Sequence, residues 1–222
     1  MPDFQLTDQV DRIWSKSDIQ PPGIHSFPCR PQRKTGPLRI LWAARWENDK
    51  NPEAFFRVVQ QLCAANAQFR LSVVGQSFRD VPKVFSAAKE KLVNHIDHWG
   101  YLESRSDYEQ VLLNTDVVVS TAWHEFFGIA MVEAMAAGAF PLLPKKLAYP
   151  EILANATPHV AAKVFYDNDA DLKNRLLELT QLVRKGSVWD DSEAEAIREC
   201  VSRHQWRIRA PEMDQMLADA CK

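Results

Sequence analysis

The sequence predicts an α/β domain built on a doubly wound parallel sheet. Two observations carry this. Short apolar runs (LRILWA at 38–43, FRLSVVG at 69–75, DVVVSTA at 116–122, AFPLLP at 139–144) recur with stretches of helical spacing between them. The runs are apolar almost throughout instead of alternating, as strands covered on both faces require. Glycine is also scarce, seven in 222 residues. Gly75, Gly100, Gly128 and Gly138 fall where a strand ends or the next helix closes, the positions at which a backbone must approach a ligand or turn sharply.

Taken in order, Asn51-Pro52-Glu53 opens the first helix of the domain, because proline at the first helical position and an acidic first turn are N-terminal signals. AFFRVVQQLCAA follows with helical spacing. After the strand at 69–75 come a helix over 80–92, a weaker strand HIDHWG at 95–100 and a helix over 104–114. The β-branched run at 116–122 leads to GIAMVEAMAAG (128–138), a helix closed by glycine, and then to the strand at 139–144. Helices over 169–185, 191–203 and 211–220 complete the chain. The first forty residues read differently. Six of the thirteen prolines lie at Pro2, Pro21, Pro22, Pro28, Pro31 and Pro37, and proline removes a backbone donor and restrains its neighbour. We read 1–36 as a proline-rich linker with one short helix near Asp8–Ser15, and 37–222 as the domain.

A net charge of −2, with 46% hydrophobic and 25% charged residues, excludes a disordered or strongly basic chain. The four cysteines (Cys29, Cys63, Cys200, Cys221) are far apart and form no zinc-finger spacing. Reduced thiols, no apolar run of membrane-spanning length and no secretory leader point to a cytoplasmic protein.

In an open parallel sheet, ligands bind at the carboxyl ends of the strands. The loop after the first strand carries Arg45 and Lys50, a fork and a point charge suited to a diphosphate. Two solvated surface charges would look the same. The loop after DVVVSTA runs through Trp123, His124, Glu125, Phe126, Phe127 and Gly128 into a helix whose free amides form a phosphate site. Glu133 stands alone in that apolar helix. A carboxylate there is costly unless something takes its hydrogen bonds, and a ribose diol would serve. If helical throughout, Glu125 and Glu133 would be ~12 Å apart, from a rise of ~1.5 Å per residue.

These residues form the pair R-x4-K (Arg45, Lys50) and the pattern E-x7-E (Glu125, Glu133). With Gly75 and the GYL at 100–102, they resemble the nucleotide-sugar-binding half of retaining glycosyltransferases of the two-domain GT-B fold. RWENDKNPEAFF, HWGYLESRSDY, STAWHEFFGIAMVEAM and PKKLAYPEI are most similar to the tRNA-queuosine α-mannosyltransferase branch. The resemblance is dense over about 36–153 and looser beyond. It implies a Rossmann-like C-terminal half, with Arg45 and Lys50 on the diphosphate. Amides near Phe127, Gly128 and Ile129 would hold the distal phosphate, Glu125 the transferred sugar and Glu133 the ribose. The backbone at His98–Tyr101, including Gly100 and Tyr101, would meet the base. His124 is open to a sugar contact or a packing role. The implied donor is GDP-mannose and the acceptor queuosine in a tRNA, with no metal or other cofactor. The acceptor-binding domain such enzymes carry in front is missing here, so the chain is expected to transfer little sugar by itself.

A non-catalytic module holding nucleotide-sugar or tRNA is the alternative. A redox domain is disfavoured, since AARWENDK replaces the glycine-rich turn that a dinucleotide needs. Asp167-Asn168-Asp169 spells a metal-binding D-x-D, but its place before a helical stretch reads as a cap. Trp99 and Tyr101 are open to base stacking or core packing. Lys145 and Lys146 are read as solvated charges, with a phosphate or tRNA-backbone contact as the alternative, and a tRNA contact by Arg203, Arg207 and Arg209 around Trp206 is disfavoured by the near-neutral net charge.

Overall fold

The computed structural model describes residues 7–28, 35–78, 80–186 and 188–221. Pro2, Cys29, Arg30, Pro31, Arg33 and Lys34 of the proline-rich opening lie outside them. The strands are β1 (Leu38–Ala43), β2 (Phe69–Val74), β3 (Ile96–Gly100), β4 (Val117–Val119), β5 (Phe140–Pro144) and β6 (Phe165–Tyr166). All pair in parallel, in the order β3-β2-β1-β4-β5-β6. This is the doubly wound arrangement, with its reversal of winding between β1 and β4.

The helices are α1 (Thr7–Trp14), α2 (Pro52–Ala64), α3 (Val84–Leu92), α4 (Arg105–Asn114), α5 (Ile129–Ala136), α6 (Tyr149–Ile152), α7 (Pro158–Val164), α8 (Asp169–Leu182), α9 (Asp191–Ser202) and α10 (Trp206–Ala220). Alternation along β1 divides the core between the two faces of the sheet. Leu38, Ile40 and Trp42 meet Phe55, Phe56 and Leu62 of α2, Phe85 of α3 and Leu176 of α8. Leu41 and Ala43 meet Leu112 of α4, Val132 and Met135 of α5, Val164 of α7 and Ile197 of α9. Each such side chain contributes roughly 1.5–3 kcal/mol when fully buried. Asn168 caps α8, accepting from the amides of Ala170 and Asp171 at 3.0 Å, so the D-x-D triplet is a helix start.

Several boundaries differ from the sequence reading. The strand expected over 116–122 ends at Val119 because Thr121 turns away: its hydroxyl donates to the carbonyls of Lys50 and Asn51 at 3.0 Å. The helix expected from residue 80 begins at Val84, beyond Pro82. The final helix begins at Trp206, not at 211, and carries Pro211 inside it. The helix lies on the surface, where water can satisfy the carbonyl that proline leaves unpaired. β6, α6 and α7 were not expected.

Part of the stretch read as a linker packs on the domain. Ile24 is buried and bridges to Gln205, donating to the His204 carbonyl at 2.7 Å and accepting from Trp206 at 2.9 Å. Gly23 lies flat against Trp206; a Cβ there would come within 2.3 Å of the indole. Arg209 reaches back to the Pro21 carbonyl and the Gln20 side chain.

His204 sits at this junction, buried, with Nδ1 unpartnered among the described residues. Burial, followed by the charges of Arg203 and Arg209, lowers its pKa from 6.5 to about 4. The unfolded chain takes up a proton near pH 6.5, whereas the folded chain resists until about 4. Stability therefore falls as the pH drops through that window. The urea midpoint is expected to fall between pH 6.5 and 4, and to fall less steeply in His204→Gln; an identical slope in the variant would contradict this assignment.

Candidate functional site

The reversal between β1 and β4 leaves a cleft at the carboxyl ends of the strands, with a volume of about 680 Å³. Two loops frame it and are stitched together. The amides of Trp123 and His124 donate to the Asp49 carbonyl at 2.8 and 3.3 Å. From the other side, Thr121 takes the carbonyls of Lys50 and Asn51. Asn51 adopts a left-handed conformation (φ 50°) and caps α2 by accepting from the Ala54 amide. The chain therefore turns sharply at the end of the short 3-10 turn Asn48–Lys50. At Gly75 a Cβ would lie 1.8 Å from the Ala44 carbonyl oxygen, so the exit loops of β1 and β2 can touch only because this residue is glycine.

Lys50 is the centre of the site. Its side chain is 8% exposed, and Nζ contacts Glu125 Oε2 and Asp49 Oδ2, each at 3.2 Å. Nζ also donates to the His124 carbonyl at 2.7 Å. Arg45 lines the same cleft, but its side chain is 55% exposed and pairs with Glu47. The R-x4-K pair is thus one buried cation held by three partners and one exposed cation paired at the surface.

Gly128 is the N-cap of α5, at φ 88° and with no side-chain cap bond. A Cβ on it would come within 2.9 Å of the Tyr149 ring. The amides of a helix's first turn have no intrahelical acceptor, and Gly128, Ile129 and Ala130 line the cleft. Tyr149 is buried beneath this turn, sharing a hydrogen bond of 2.7 Å with the Ser120 hydroxyl. Burial pushes its pKa upward, so the phenol stays protonated.

Glu125, His124 and Tyr101 also line the cleft. Phe127 does not; its ring packs edge-on against His204 at 5.0 Å. Gly100 does not either. Its carbonyl accepts from the Gly75 amide at 3.1 Å, and its φ of 116° is what needs glycine. Trp99 belongs to the core, stacked on Phe56 with centroids 5.6 Å apart. Lys145 and Lys146 are exposed. Arg203 and Arg209 are engaged by carbonyls of the chain itself.

Two expectations for the acidic pair need correction. Residues 125–128 are not helical, so the spacing drawn from a continuous helix does not hold. Glu133, 7% exposed, does not line the cleft. Its partners come from α4: Arg105 Nη1 donates to Oε1 and the Tyr108 hydroxyl to Oε2, both at 2.9 Å. Arg105 and Tyr108 do line the cleft. Neither stands out in the sequence, although a lone carboxylate in an apolar helix signals that something must take its hydrogen bonds.

Residues 28–185 match the glycosyl transferases group 1 family, and the chain belongs to it. A tRNA-queuosine alpha-mannosyltransferase from Drosophila melanogaster is 36% identical over 162 residues, 68% of this chain and 43% of that protein. A GDP-mannose-dependent alpha-(1-6)-phosphatidylinositol dimannoside mannosyltransferase from Mycobacterium tuberculosis is 24% identical over 157 residues, 66% of this chain and 40% of that one. The chain thus spans less than half the length of these relatives. Among solved structures, a sucrose-phosphate synthase from Thermosynechococcus elongatus superposes with a TM-score of 0.71 at 16% identity, covering 96% of this chain and 56% of the other. The sheet is that of a GT-B glycosyltransferase.

Removing a buried cation strands its carboxylates, whereas removing an exposed one costs little. Lys50→Met is expected to lower unfolding stability by about 2–3 kcal/mol, and Arg45→Ala by no more than about 0.5 kcal/mol. Urea denaturation of the two variants checks this contrast.

Proposed function

We propose that this domain holds the donor of a retaining mannosyl transfer. GDP-mannose is the donor and queuosine in a tRNA the acceptor, with transfer taking place once the domain is joined to an acceptor-binding half. The observation that carries this reading is the seating of Lys50 Nζ between the two loops of the cleft, against Glu125 and the His124 carbonyl, beside the open first turn of α5. The residue roles are those that the resemblance in R-x4-K and E-x7-E implies. The choice of mannose and tRNA leans on what the two relatives are described as doing.

On this reading the diphosphate lies across the opening of α5, and Arg45 leaves Glu47 to meet it. An exposed pair of this kind costs little to exchange. Lys50 keeps its contact with Glu125 and presents that carboxylate to the hydroxyls of the sugar. As the sugar–phosphate bond breaks, positive charge grows on the sugar ring and negative charge on the departing diphosphate. Cations and amides fixed in place before the reaction lower that barrier without reorganising. Attack from the face the diphosphate leaves retains configuration. The charge stabilisation is assigned to these groups, with no metal. At the mouth, Tyr101, Phe126 and Ile129 are exposed, Phe126 completely (101%). We assign this rim to the companion half and the acceptor. A non-catalytic nucleotide-sugar module would share the donor contacts and lack turnover.

A thermal-shift comparison of GDP, GDP-mannose, UDP and NAD tests the site. GDP and GDP-mannose are expected to raise the melting temperature selectively, because a ligand of the native state stabilises it, and Arg45→Ala should reduce the shift. Stabilisation by NAD alone would sink the proposal. This chain alone is expected to give little mannosyl transfer to queuosine-containing tRNA, and supplying the companion half should restore it. Brisk transfer by the isolated chain would overturn that division of labour.

A further inference from the structure

Large apolar side chains left in water on a braced backbone mark a contact surface. Phe78, Tyr101, Trp123 and Phe126 are exposed, and all four stand on the loops that leave β2, β3 and β4. The loop after β4 is tied down on either side of its two rings. The Trp123 and His124 amides donate to the Asp49 carbonyl, the Glu125 carboxylate meets Lys50, and Phe127 packs on His204. Trp123 and Phe126 alternate with these anchors, so both rings are held out on a fixed backbone. Trp123 lies outside the lining of the donor cleft. The sheet order β1-β4-β5 sets this loop between two others that carry cations. On one side is Arg45; on the other are Lys145 and Lys146, exposed and without an ion pair among the described residues. The turn bearing the lysines is strained. Leu147, next in the chain, has a φ of 63°, in the left-handed region that bulky residues avoid, and the Lys146 amide closes on the Pro144 carbonyl at 2.7 Å. Strain of this kind is retained where the displayed groups are used.

We propose that Trp123 and Phe126 form a stacking platform for unpaired bases of the acceptor RNA, with Lys145 and Lys146 on its phosphates. This rests on the tRNA acceptor read above and adds how this half of the enzyme, and not only its companion, grips that RNA. Aromatic rings set among cations hold single-stranded RNA, because a flat ring accepts the face of any base. A duplex keeps its bases stacked on one another and leaves such rings unused. The core of a protein joint is depleted of charge, whereas here His124 and Glu125 stand between the two rings in the chain and cationic loops flank them. An RNA loop seated on these rings delivers its acceptor nucleoside to the mouth of the cleft, beside Glu125.

The test is fluorescence anisotropy of a labelled RNA hairpin with an unpaired loop, and of the blunt duplex of its stem, titrated with the whole chain. The thermal shift with GDP is followed in parallel. The hairpin is expected to bind about tenfold more tightly than the duplex, in line with one or two stacked bases. Trp123→Ala and Phe126→Ala should each weaken hairpin binding by about fivefold or more, and Trp123→Phe should keep most of it. Trp123→Ala should leave the GDP shift as in wild type. The double variant Lys145→Ala, Lys146→Ala should lower the slope of log Kd against log salt by about 1.4, from about 0.7 per phosphate contact. Equal binding of hairpin and duplex, or no hairpin binding at all, would overturn the inference and leave the donor site standing. Alanine variants that hold the hairpin as wild type does, but no longer assemble with the companion half, would make the rim a protein joint and overturn it too. An absent GDP shift in wild type would instead remove the donor-site reading, whatever the hairpin does.

Discussion

The ammonium of Lys50 holds the cleft together. It is a buried cation at the point where the sheet reverses direction, compensated by two carboxylates and a carbonyl drawn from the loops after β1 and β4. A charge taken out of water is tolerated only with such compensation, so the two loops must close on each other for the domain to fold. The same requirement that stabilises the domain fixes the position of Glu125. Folding and site construction are here one event, which is why the glycines at 75 and 128, needed for close approach, lie on the rim of this cleft.

The cations of the cleft are paired in different ways. Lys50 is enclosed, Arg105 is shared between Glu109 and Glu133, and Arg45 is out in solvent with Glu47. Coulomb attraction in water is weak at these distances and strong where water is excluded. The three therefore form a gradient from a surface group that can change partner to an interior one that cannot. An incoming anion would meet the loosest pair first.

Much of the fold was legible because it rests on local pattern. FPLLP is apolar throughout and LRILWA but for Arg39, as a parallel strand covered on both faces requires. Asn51-Pro52 and Asn168 announce their helices by local capping chemistry. What escaped was set by distant partners. Phe165–Tyr166 is too short to show a period, and its strand exists because β5 offers an edge. The helix at Pro158–Val164 is short and ordinary in composition. Thr121 ends β4 through carbonyls seventy-one and seventy residues away, and Glu133 finds its donors twenty-eight and twenty-five residues upstream. Of the motif residues, Arg45, Lys50 and Glu125 line one cleft and Glu133 does not. Their orientation was not legible, because side-chain direction in a loop is decided by neighbours that no spacing rule names.

The docking of Gly23 and Ile24 on Trp206 bears on where this unit can be cut. The family match begins at residue 28, yet the segment just before it bridges to Gln205 and ends in the ring that faces Arg105. An excised version starting at the first strand would bare an indole on α10 and a guanidinium beside the cleft, at opposite ends of one short peptide. The natural frontier of the folding unit thus lies upstream of its homologous core, near the pair of adjacent prolines.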